Sequence, residues 1–482
     1  MKSVRLLVFI VFSLGPTQSV VAGSWPQFRG ANCSGVAQGV HRLPAEIGPD
    51  RNLIWKVSLP PGHSSPVVSG DHIFLTATKD RVLYTLGLHR ATGAILWKVK
   101  AEYQTLEAIH RDGSYVQSSP ATDGSLVISF FGSSGLFCYD LDGRLLWNRP
   151  MGPFKNGFGA ASSPIIVEDR ILLNQDHDVD SFLMALDKRT GKTIWKTKRP
   201  EFLRGFSTPI VLKVAGKKQI VVSGTLRMVG YDFETGDEIW TVWGLSRIVN
   251  TTPVIGNQGV LFSATWTPGA DPGKREKLES FSQVSSQVDR NRNGILELEE
   301  LAEGSLKGRF NQFDLNKDDK LTRAEYDAMK NVFENVENVA LAIRPGGTGD
   351  VTRSHVLWKN NRYLPYVPSP IFYNGSLFWV KRGGIVASLD PETGETFKVD
   401  RITGQSSYFS SPVAGDGKIY LISQKGELSV ISAKPQWQEL SRATFKGEVY
   451  ATPAIADGRI YLRTSLNLFC FGLPGSRTGV QP

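Results

Sequence analysis

The chain has 482 residues, 41% of them hydrophobic and 21% charged, with a formal net charge of +9. This length exceeds what one ordinary hydrophobic core supports, so we expect an architecture that adds its core in repeated units. No nucleic-acid-binding motif accompanies the positive charge, which argues against a nucleic-acid partner.

The first 22 residues have the features of a secretory signal peptide. Lys2 and Arg5 precede an apolar stretch over 6–14, and small residues occupy the −3 and −1 positions of a cleavage point after Ala22. The apolar stretch is too short to span a membrane. We therefore expect an exported protein, periplasmic or extracellular, with no transmembrane segment. No cysteine closely follows the cleavage point, which argues against a lipid anchor.

A Ser/Thr-Pro pair opens a short β-rich unit eight times along the chain. The pairs are Ser65-Pro66, Ser119-Pro120, Ser163-Pro164, Thr208-Pro209, Thr252-Pro253, Ser369-Pro370, Ser411-Pro412 and Thr452-Pro453. A period of about 42–45 residues is that of a four-stranded propeller blade, and the single long gap equals one blade plus about 73 residues. The sequence thus predicts an all-β, eight-bladed β-propeller with an insertion in blade five. Because a unique nucleophile would not recur eight times, we interpret these hydroxyl residues as structural.

Each unit continues with apolar runs, a glycine turn and an outer strand that carries a tryptophan. The turn glycines are Gly93, Gly143, Gly191, Gly236 and Gly394, and the tryptophans are Trp97, Trp147, Trp195, Trp240 and Trp358. The seventh unit has Lys434-Pro435 where the glycine turn should be. The last unit lacks an outer strand, but residues 52–58 match one. We expect residues 52–58 to pair with 452–471 and close the propeller, leaving no open seam.

The insertion, residues 267–337, contains two twelve-residue segments that match the EF-hand calcium loop. Ligand positions of the first are Asp289, Asn291, Asn293, Ile295, Glu297 and Glu300; those of the second are Asp314, Asn316, Asp318, Lys320, Thr322 and Glu325. Calcium takes six to eight oxygen ligands, and this spacing supplies them from side chains, one backbone carbonyl and one bound water. The sharp-turn position holds Gly294 in the first loop and Asp319 in the second, where Asp costs modest strain.

Apolar residues at helical spacing flank both loops, so the sequence predicts a small α-helical EF-hand pair that binds Ca²⁺. We expect Leu296 and Leu321, at equivalent loop positions, to meet between the paired loops. The insertion lies in the connection between the second and third strands of blade five. Strand parity places that connection on the face of the loops that join one blade to the next.

These boundaries give a signal peptide over 1–22, propeller over 23–266 and 338–474, the insert over 267–337, and a flexible tail over 475–482. The insert holds 15 acidic and 11 basic residues, a net charge of −4, so the rest of the chain carries +13. A basic propeller favours an anionic partner such as an acidic glycan; the alternative is a solvated surface without a partner.

Polar and aromatic residues of the blade-joining loops are predicted to converge at the mouth of the central channel. They are His63, Tyr115, Arg204, Arg247, Asn250, Tyr363, Tyr366, Tyr408, Glu448 and Tyr450. They form either a ligand-binding site or ordinary loop packing.

A second acidic pattern, Asp176-His-Asp178-Val-Asp180, could hold a cation or form a solvated hairpin. The three cysteines, Cys33, Cys138 and Cys470, are far apart, and we expect buried thiols.

The repeats, with segments such as Leu183-Met-Ala-Leu-Asp187 and Thr190-Gly191-Lys-Thr-Ile-Trp195, resemble the pyrroloquinoline-quinone-type propeller repeats. These occur in quinoprotein dehydrogenases and in BamB, a lipoprotein that assists outer-membrane barrel assembly. The resemblance implies the fold and leaves the function open. The adjacent-cysteine ring of the quinoproteins and the lipidated cysteine of BamB have no counterpart in this sequence. This argues against the quinone as a cofactor.

From the residues we therefore expect a calcium-binding propeller that acts as a binding or scaffold module for a protein or an anionic glycan. A quinone-dependent oxidoreductase and a BamB-like assembly factor are the alternatives. No catalytic constellation is evident, so an enzymatic role has no support in the residues themselves.

Overall fold

The computed structural model describes residues 23–474 except residues 40, 111–112, 272, 274, 276 and 317. The predicted signal peptide and the predicted tail lie outside the described residues. Eight antiparallel sheets of at least four strands follow one another along the chain, which confirms the eight-bladed propeller. Each sheet is one blade, and its strands run in chain order from the central channel to the rim.

Blade one consists of strands Val67–Ser69, His72–Lys79, Val82–His89 and Ile95–Ala101, and blade two of Ala121–Thr122, Leu126–Phe130, Leu136–Asp140 and Leu145–Arg149. Blade three consists of Ile165–Val167, Arg170–Gln175, Phe182–Asp187 and Thr193–Lys198, and blade four of Ile210–Val214, Lys217–Ser223, Arg227–Asp232 and Glu238–Trp243. Blade five consists of Val254–Ile255, Leu261–Thr265, Val339–Ile343 and Val356–Asn360, and blade six of Ile371–Tyr373, Ser376–Lys381, Ile385–Leu389 and Thr396–Arg401. Blade seven consists of Val413–Gly415, Lys418–Ile422, Glu427–Ser432 and Glu439–Thr444, and blade eight of Ala454–Ala456, Arg459–Arg463 and Asn467–Gly472, completed by Leu53–Ser58.

The propeller closes as predicted, through strands from the two ends of the chain. Leu53–Ser58 pairs antiparallel with Asn467–Gly472 and places Trp55 opposite Cys470. This pairing supplies the outer strand that the eighth unit lacks, and it ties the first described strand to the last.

The Ser and Thr of the repeated Ser/Thr-Pro pairs form a closed ring of hydrogen bonds around the channel. In each blade the backbone N–H of this residue donates to the hydroxyl of the equivalent residue in the next blade, at 2.9–3.2 Å. The eighth bond, from Thr452 N–H to Ser65 Oγ, returns to the start at 3.0 Å. All eight residues are buried, so each bond satisfies a backbone donor that would otherwise be costly. The structural interpretation of these residues is therefore confirmed.

At the rim, an outer-strand tryptophan of one blade covers the glycine turn of the next. A Cβ atom at Gly191 would lie 2.7 Å from the Trp147 ring, and the φ of Gly191 is +67°, so both contact and conformation require glycine. Trp147 Nε1 also donates to the Lys188 carbonyl at 3.2 Å. The same contact joins the other blades that have both residues.

The pattern changes where either partner is missing. Blade six carries Lys398 in place of the tryptophan, and its ammonium lies 4.3 Å from the ring centroid of Trp437 in the Pro-containing turn of blade seven. Blade five has no glycine turn, and Trp240 of blade four instead donates to Gln219 within its own blade. The connection before the outer strand of blade five contributes Gly349–Asp350, which pairs in parallel with the outer strand of blade four.

The segment 25–37 crosses the channel. It bonds to residues on or next to the inner strands of five blades, namely Val68, Thr122, Val211, Pro370 and Ala414. Since blades two and six stand on opposite sides of an eight-bladed ring, the segment must pass over the axis. Its partners follow the hydroxyl ring along the inner strands, so it closes the channel on the side away from the blade-joining loops.

The insert consists of helices α1 (Phe281–Val288), α2 (Ser305–Gly308), α3 (Phe310–Phe313) and α4 (Arg323–Asn335), with a two-stranded ribbon of Leu296–Glu297 and Lys320–Leu321. Three 3₁₀ turns, Ala31–Cys33, Gly132–Ser134 and Asn257–Gly259, and a short helix, Thr352–His355, complete the structure. The insert has a core of its own, which includes Phe281, Phe313, Tyr326 and Phe333.

The three cysteines are buried and unpaired, as predicted. Burial raises the pKa of each of these thiols to about 12. They therefore stay protonated at neutral pH and act as small core residues.

Candidate functional site

A cavity of about 240 Å³ occupies the channel where the blade-joining loops meet. Its wall includes Ser65 and Thr208, two of the Ser/Thr residues in the ring of hydrogen bonds, and Phe28 of the crossing segment. The lining is mainly aromatic and aliphatic, and the rings come from Phe28, Phe158, Phe206, Phe409, Tyr366 and Tyr450. Amides from Gln117 and Asn250 add polar groups. The cavity is a pocket of the kind that holds small ligands in an apolar setting with a few polar contacts.

His63 forms part of the polar wall and stacks on Tyr450, with ring centroids 3.8 Å apart. Burial, with the positive charge of Arg463 as a smaller cause, lowers the pKa of His63 to about 4. The imidazole is therefore neutral at physiological pH. Arg463 is itself fully buried, and its guanidinium donates to the carbonyls of Ser64 and Thr76 at 3.0 and 2.9 Å.

Of the residues predicted to converge at the mouth, His63, Asn250, Tyr366 and Tyr450 line the cavity. Asn250 Nδ2 donates to the Tyr366 carbonyl at 3.1 Å, which fixes the loops of blades five and six to each other. The remaining predicted residues do not line the cavity.

Two of the predicted tyrosines, Tyr408 and Tyr115, make contacts within the fold instead of lining the cavity. Tyr408 is buried in a core cluster with residues of blades six and seven, and its hydroxyl donates to the Gly404 carbonyl at 2.6 Å. The Tyr115 hydroxyl donates to the Glu107 carbonyl at 2.9 Å. The expectation that Tyr408 reaches the channel mouth is therefore wrong, because its ring fills core space.

Tyr363 and Glu448 stand at the surface near the mouth. Tyr363 has a φ of +55°, and its carbonyl accepts from the Trp379 indole at 2.9 Å. Glu448 accepts from the Gln424 side chain at 3.5 Å. Neither lines the cavity.

Arg204 and Arg247 lie beside the cavity, toward the insert. Arg204 Nε donates to Asp178 at 2.6 Å, and its guanidinium carbon is 5.9 Å from the ring centroid of Phe158, a cavity residue. Arg247 Nη1 donates to Gln312 of the insert at 2.8 Å. These contacts put the insert against the loops that the sequence predicted it would approach.

Two of the three carboxylates in the acidic pattern at 176–180 are buried and paired with arginine, whereas Asp180 is exposed. Asp176 is fully buried and receives two bonds from Arg199, at 2.8 and 3.0 Å, while Asp178 binds Arg204. Arg199 also donates to the Tyr231 hydroxyl. Arginine neutralises these carboxylates, so they are not available to a cation.

Both loops of the insert fold in the same way. In the first, Asp289 accepts from the backbone N–H groups of Asn293 and Gly294 at 3.2 and 3.0 Å. The Glu300 carboxylate reaches back across the loop and accepts three backbone N–H groups, those of Arg290, Asn291 and Glu297. These bonds, led by that from Glu297, hold the pKa of Glu300 below its usual value.

In the second loop Asp314 accepts from Asp318 and Asp319, at 3.2 and 3.0 Å. Glu325 accepts from the N–H groups of Leu315, Asn316 and Thr322. The sharp-turn residues have positive φ in both loops, +76° at Gly294 and +62° at Asp319. Leu296 and Leu321 lie opposite each other in the ribbon between the loops, as expected.

The oxygen atoms of both loops are chemically suited to a hard cation. The side chains at positions one, three, five and twelve are carboxylates and amides, and backbone N–H groups anchor their orientation. Among the residues that the structure describes, no group of three or more His, Cys, Asp or Glu side chains is gathered as a metal centre. Calcium binding at these loops would therefore draw on Asn, Thr and backbone oxygens as well as on carboxylates.

Sequence reasoning missed the role of residues 25–37 in closing the channel. Trp25-Pro26-Gln27-Phe28 has no repeat period and no motif that predicts a contact with a distant blade. The sequence signals were a tryptophan and an arginine, Trp25 and Arg29, outside the repeats; the structure buries both side chains. They become informative only when the ring of blades provides an axis to cross.

The eight blades, closed into a ring around a channel, define an eight-bladed β-propeller, and its repeats are similar to those of the pyrroloquinoline-quinone type. The family model that matches is described as outer membrane protein assembly factor BamB, and it matches residues 37–179 and 87–265. A search of the curated proteins finds no match to this chain.

Solved structures share the fold at low sequence identity. BamB from Moraxella catarrhalis aligns with a TM-score of 0.56 and 14% identity, over 87% of this chain and 99% of that one. Quinohemoprotein alcohol dehydrogenase from Comamonas testosteroni aligns with a TM-score of 0.56 and 11% identity, over 95% and 82%. The computationally designed Ika8 protein aligns with a TM-score of 0.52 and 11% identity, over 87% and 99%. Identities this low establish the shared fold alone.

Within the part of the chain that the structure describes, none of the helices has the length and apolar character needed to cross a bilayer.

Proposed function

We propose that this protein is an exported calcium-binding propeller whose channel mouth binds a partner and whose insert holds one side of that mouth in place. The observation that carries the proposal is the matching hydrogen-bond pattern of the two loops. In each, the position-twelve glutamate accepts the N–H groups of positions two, three and nine, and the position-one aspartate accepts those of five and six. This pattern holds the carboxylates of positions one and twelve across the same loop, and these are two of the positions whose oxygens bind calcium in an EF-hand loop, which supports the proposal.

The proposed ligands are those predicted from the spacing. In the first loop they are the side chains of Asp289, Asn291, Asn293 and Glu300, the carbonyl of Ile295, and a water held by Glu297. In the second they are the side chains of Asp314, Asn316, Asp318 and Glu325, the carbonyl of Lys320, and a water held by Thr322. Calcium would neutralise the carboxylates that crowd each loop and order the short helices beside them.

Helix α4 links the second loop to the propeller. It begins at the loop, where Thr322 and Glu325 form a capping box. At its other end Val332 and Val336 lie in one apolar cluster with Leu226 of blade four and with Leu203 of the loop that joins blades three and four. A change in order at the loop would therefore reach the blade-joining loops through one rigid element.

Calorimetric titration of chelator-stripped protein tests the calcium proposal. We expect up to two sites with dissociation constants of ~10⁻⁴–10⁻³ M, as in other extracellular modules. Glu300→Gln and Glu325→Gln should each weaken one site. Glu303→Gln is the matched control, since Glu303 is exposed in the same insert, outside both loops. If wild-type protein shows neither heat nor a calcium-dependent melting shift, the calcium proposal is wrong.

Hydrogen exchange tests the link to the mouth. Calcium should slow exchange in the insert and also in the loops at 203–208 and 246–251, which contact it. Protection limited to the insert would make it an independent appendage and would contradict the coupling.

The quinone-dependent oxidoreductase and the BamB-like factor remain the competing functions for this fold. The three buried cysteines lie in the crossing segment and in blades two and eight, so no adjacent-cysteine ring stands beside the cavity, and we derive no quinone chemistry. Retention of added pyrroloquinoline quinone through gel filtration, with dye reduction by alcohols or sugars, would favour the oxidoreductase over the binding module. Capture of outer-membrane assembly proteins from the extracytoplasmic fraction would favour the assembly factor.

A further inference from the structure

Three arginines from separate segments gather on the insert side of the channel cavity. Arg204 joins blades three and four, Arg247 joins blades four and five, and Arg309 lies between α2 and α3 of the insert. The guanidinium carbons of Arg247 and Arg309 are 4.8 and 5.2 Å from the ring centroid of Phe333, so both groups lie against the same ring. We call Arg204, Arg247 and Arg309 the arginine rim.

Arg247 is the member of the rim that is best placed to receive an anion. Among the described residues no carboxylate lies within ion-pair distance of it, whereas Arg204 already binds Asp178. Within the described part of the chain, its side chain donates from Nη1 to the neutral amide of Gln312. Burial, together with the charges of Arg204 and Arg309, lowers the pKa of Arg247 to about 10, which remains well above neutrality. A cation held against like charges gains most from an anionic ligand.

The cavity beside the rim fits the uncharged part of such a ligand. Ile248, which lines it, directly follows Arg247 in the chain, and Asn250, which also lines it, is three residues after Arg247. Phe158 belongs to the cavity and also contacts Arg204. Aromatic faces can cover the C–H face of a sugar ring, while amides such as Asn250 and Gln117 can bond to its hydroxyls. An arginine fork can receive a carboxylate or sulfate in bidentate fashion.

We propose that the channel mouth binds an acidic sugar, with its carboxylate or sulfate on Arg247 and its ring against the aromatic wall of the cavity. This inference rests on the proposed role of the mouth as a binding site and names its ligand class. The insert contributes Arg309 and the Phe333 ring that the guanidinium groups of Arg247 and Arg309 contact, so an ordered insert should complete the site.

Calorimetric titrations of the full chain with D-glucuronate, glucose 6-sulfate, glucose and inorganic sulfate test this assignment. We expect the two acidic sugars to bind at least about tenfold more tightly than glucose, since a charged hydrogen bond contributes about 1.5–3 kcal/mol and 1.4 kcal/mol is tenfold. The acidic sugar that binds more tightly shows whether the site prefers a carboxylate or a sulfate. Equal binding of glucose and both acidic sugars would overturn the proposal. Inorganic sulfate that binds as tightly as the sugars would overturn the sugar assignment.

Variants at the rim locate the site. Arg247→Gln should lower acidic-sugar affinity about tenfold and leave glucose binding unchanged, and Arg247→Lys should retain part of the affinity because it keeps the charge without the fork. Arg189→Gln is the control, since Arg189 is exposed in a turn on the opposite face. An unchanged ratio of acidic to neutral sugar in Arg247→Gln would overturn the assignment, and unchanged circular dichroism would exclude misfolding.

The same titrations with and without chelator separate this inference from the calcium proposal. Acidic-sugar binding in a protein that takes up no calcium would support the arginine rim and refute the calcium role. Calcium uptake without acidic-sugar binding would do the reverse.

Discussion

The ring of Ser and Thr hydroxyls in the propeller (the hydroxyl ring) and the two loops of the insert both bind backbone N–H groups with side-chain oxygens. They differ in the charge of those oxygens and in how far apart donor and acceptor lie in the chain. In the ring each acceptor is a neutral Ser or Thr, and donor and acceptor are 41–117 residues apart along seven of the eight bonds. In the loops the acceptors include carboxylates, and their donors lie within ten residues of them.

The difference indicates which region needs a cofactor. A neutral hydroxyl that has accepted one N–H carries no charge to compensate, so the ring is complete without an ion. Carboxylates such as Asp289 and Glu300, gathered in one loop, repel each other even when each is hydrogen-bonded. We therefore expect the propeller to be stable without calcium and the insert to depend on it, and three changes test that contrast.

The largest expected effect is acid destabilisation of the propeller through His63. Its folded pKa is about 4 and its unfolded pKa is ordinary, so between about pH 6.5 and 4 only the unfolded state takes up the proton. Stability is then fully present above pH 6.5 and falls as the pH drops to 4, by at most about 3 kcal/mol for this shift.

Urea denaturation at pH 7.5 and 5 measures the part of this loss that falls between pH 6.5 and 5, about 2 kcal/mol, with His63→Gln as the comparison. The variant should lose less stability than wild type between the two pH values, although His177, whose pKa burial also lowers to about 4, keeps part of the effect. An equal loss in both proteins would show that His63 is not the titrating group. The insert should lose stability only at a lower pH than the propeller does, because the Glu300 carboxyl has a lowered pKa and stays ionised further into the acid range.

Breaking the hydroxyl ring should have the next largest effect. Thr208→Val removes the acceptor for the buried Ser163 N–H and keeps the side-chain shape. The unpaired donor should cost about 1–3 kcal/mol, measured by urea denaturation. Thr208→Ser, which keeps the hydroxyl, is the control. The loss should be the same with calcium and with chelator; rescue by calcium would show that the ring and the insert are not independent.

The smallest expected effect concerns the sharp turn of the second loop. Asp319→Gly relieves a positive φ of +62° and should raise calcium affinity there by at most about thirtyfold, since left-handed strain is at most about 1–2 kcal/mol and 1.4 kcal/mol is tenfold. Gly294→Asp is the reciprocal change, with nothing within 4 Å of the new Cβ, so it should weaken the first loop by a similar factor. Calorimetry that finds both affinities unchanged would show that this turn does not limit binding.

The arrangement of blades could be predicted from the chain because it depends on local and periodic features. The Ser/Thr-Pro period sets the blade count, the unmatched strand around Trp55 requires closure with the last blade, and strand parity decides the face of the insert. The helices and the Leu296–Leu321 pair of the insert likewise follow from spacing within about 70 residues.

What fills and surrounds the channel was decided by tertiary structure. Phe28 closes the cavity, Tyr408 packs into a core and Asp176 meets Arg199, and none of these outcomes has a signature in residue spacing. They depend on which side chains from distant strands are brought together and on the cost of burying an unpaired charge. The sequence by itself therefore determined the scaffold and the candidate calcium loops. Only the packing of the blades decided which residues could form the mouth, because burial and charge pairing arise only when the ring closes.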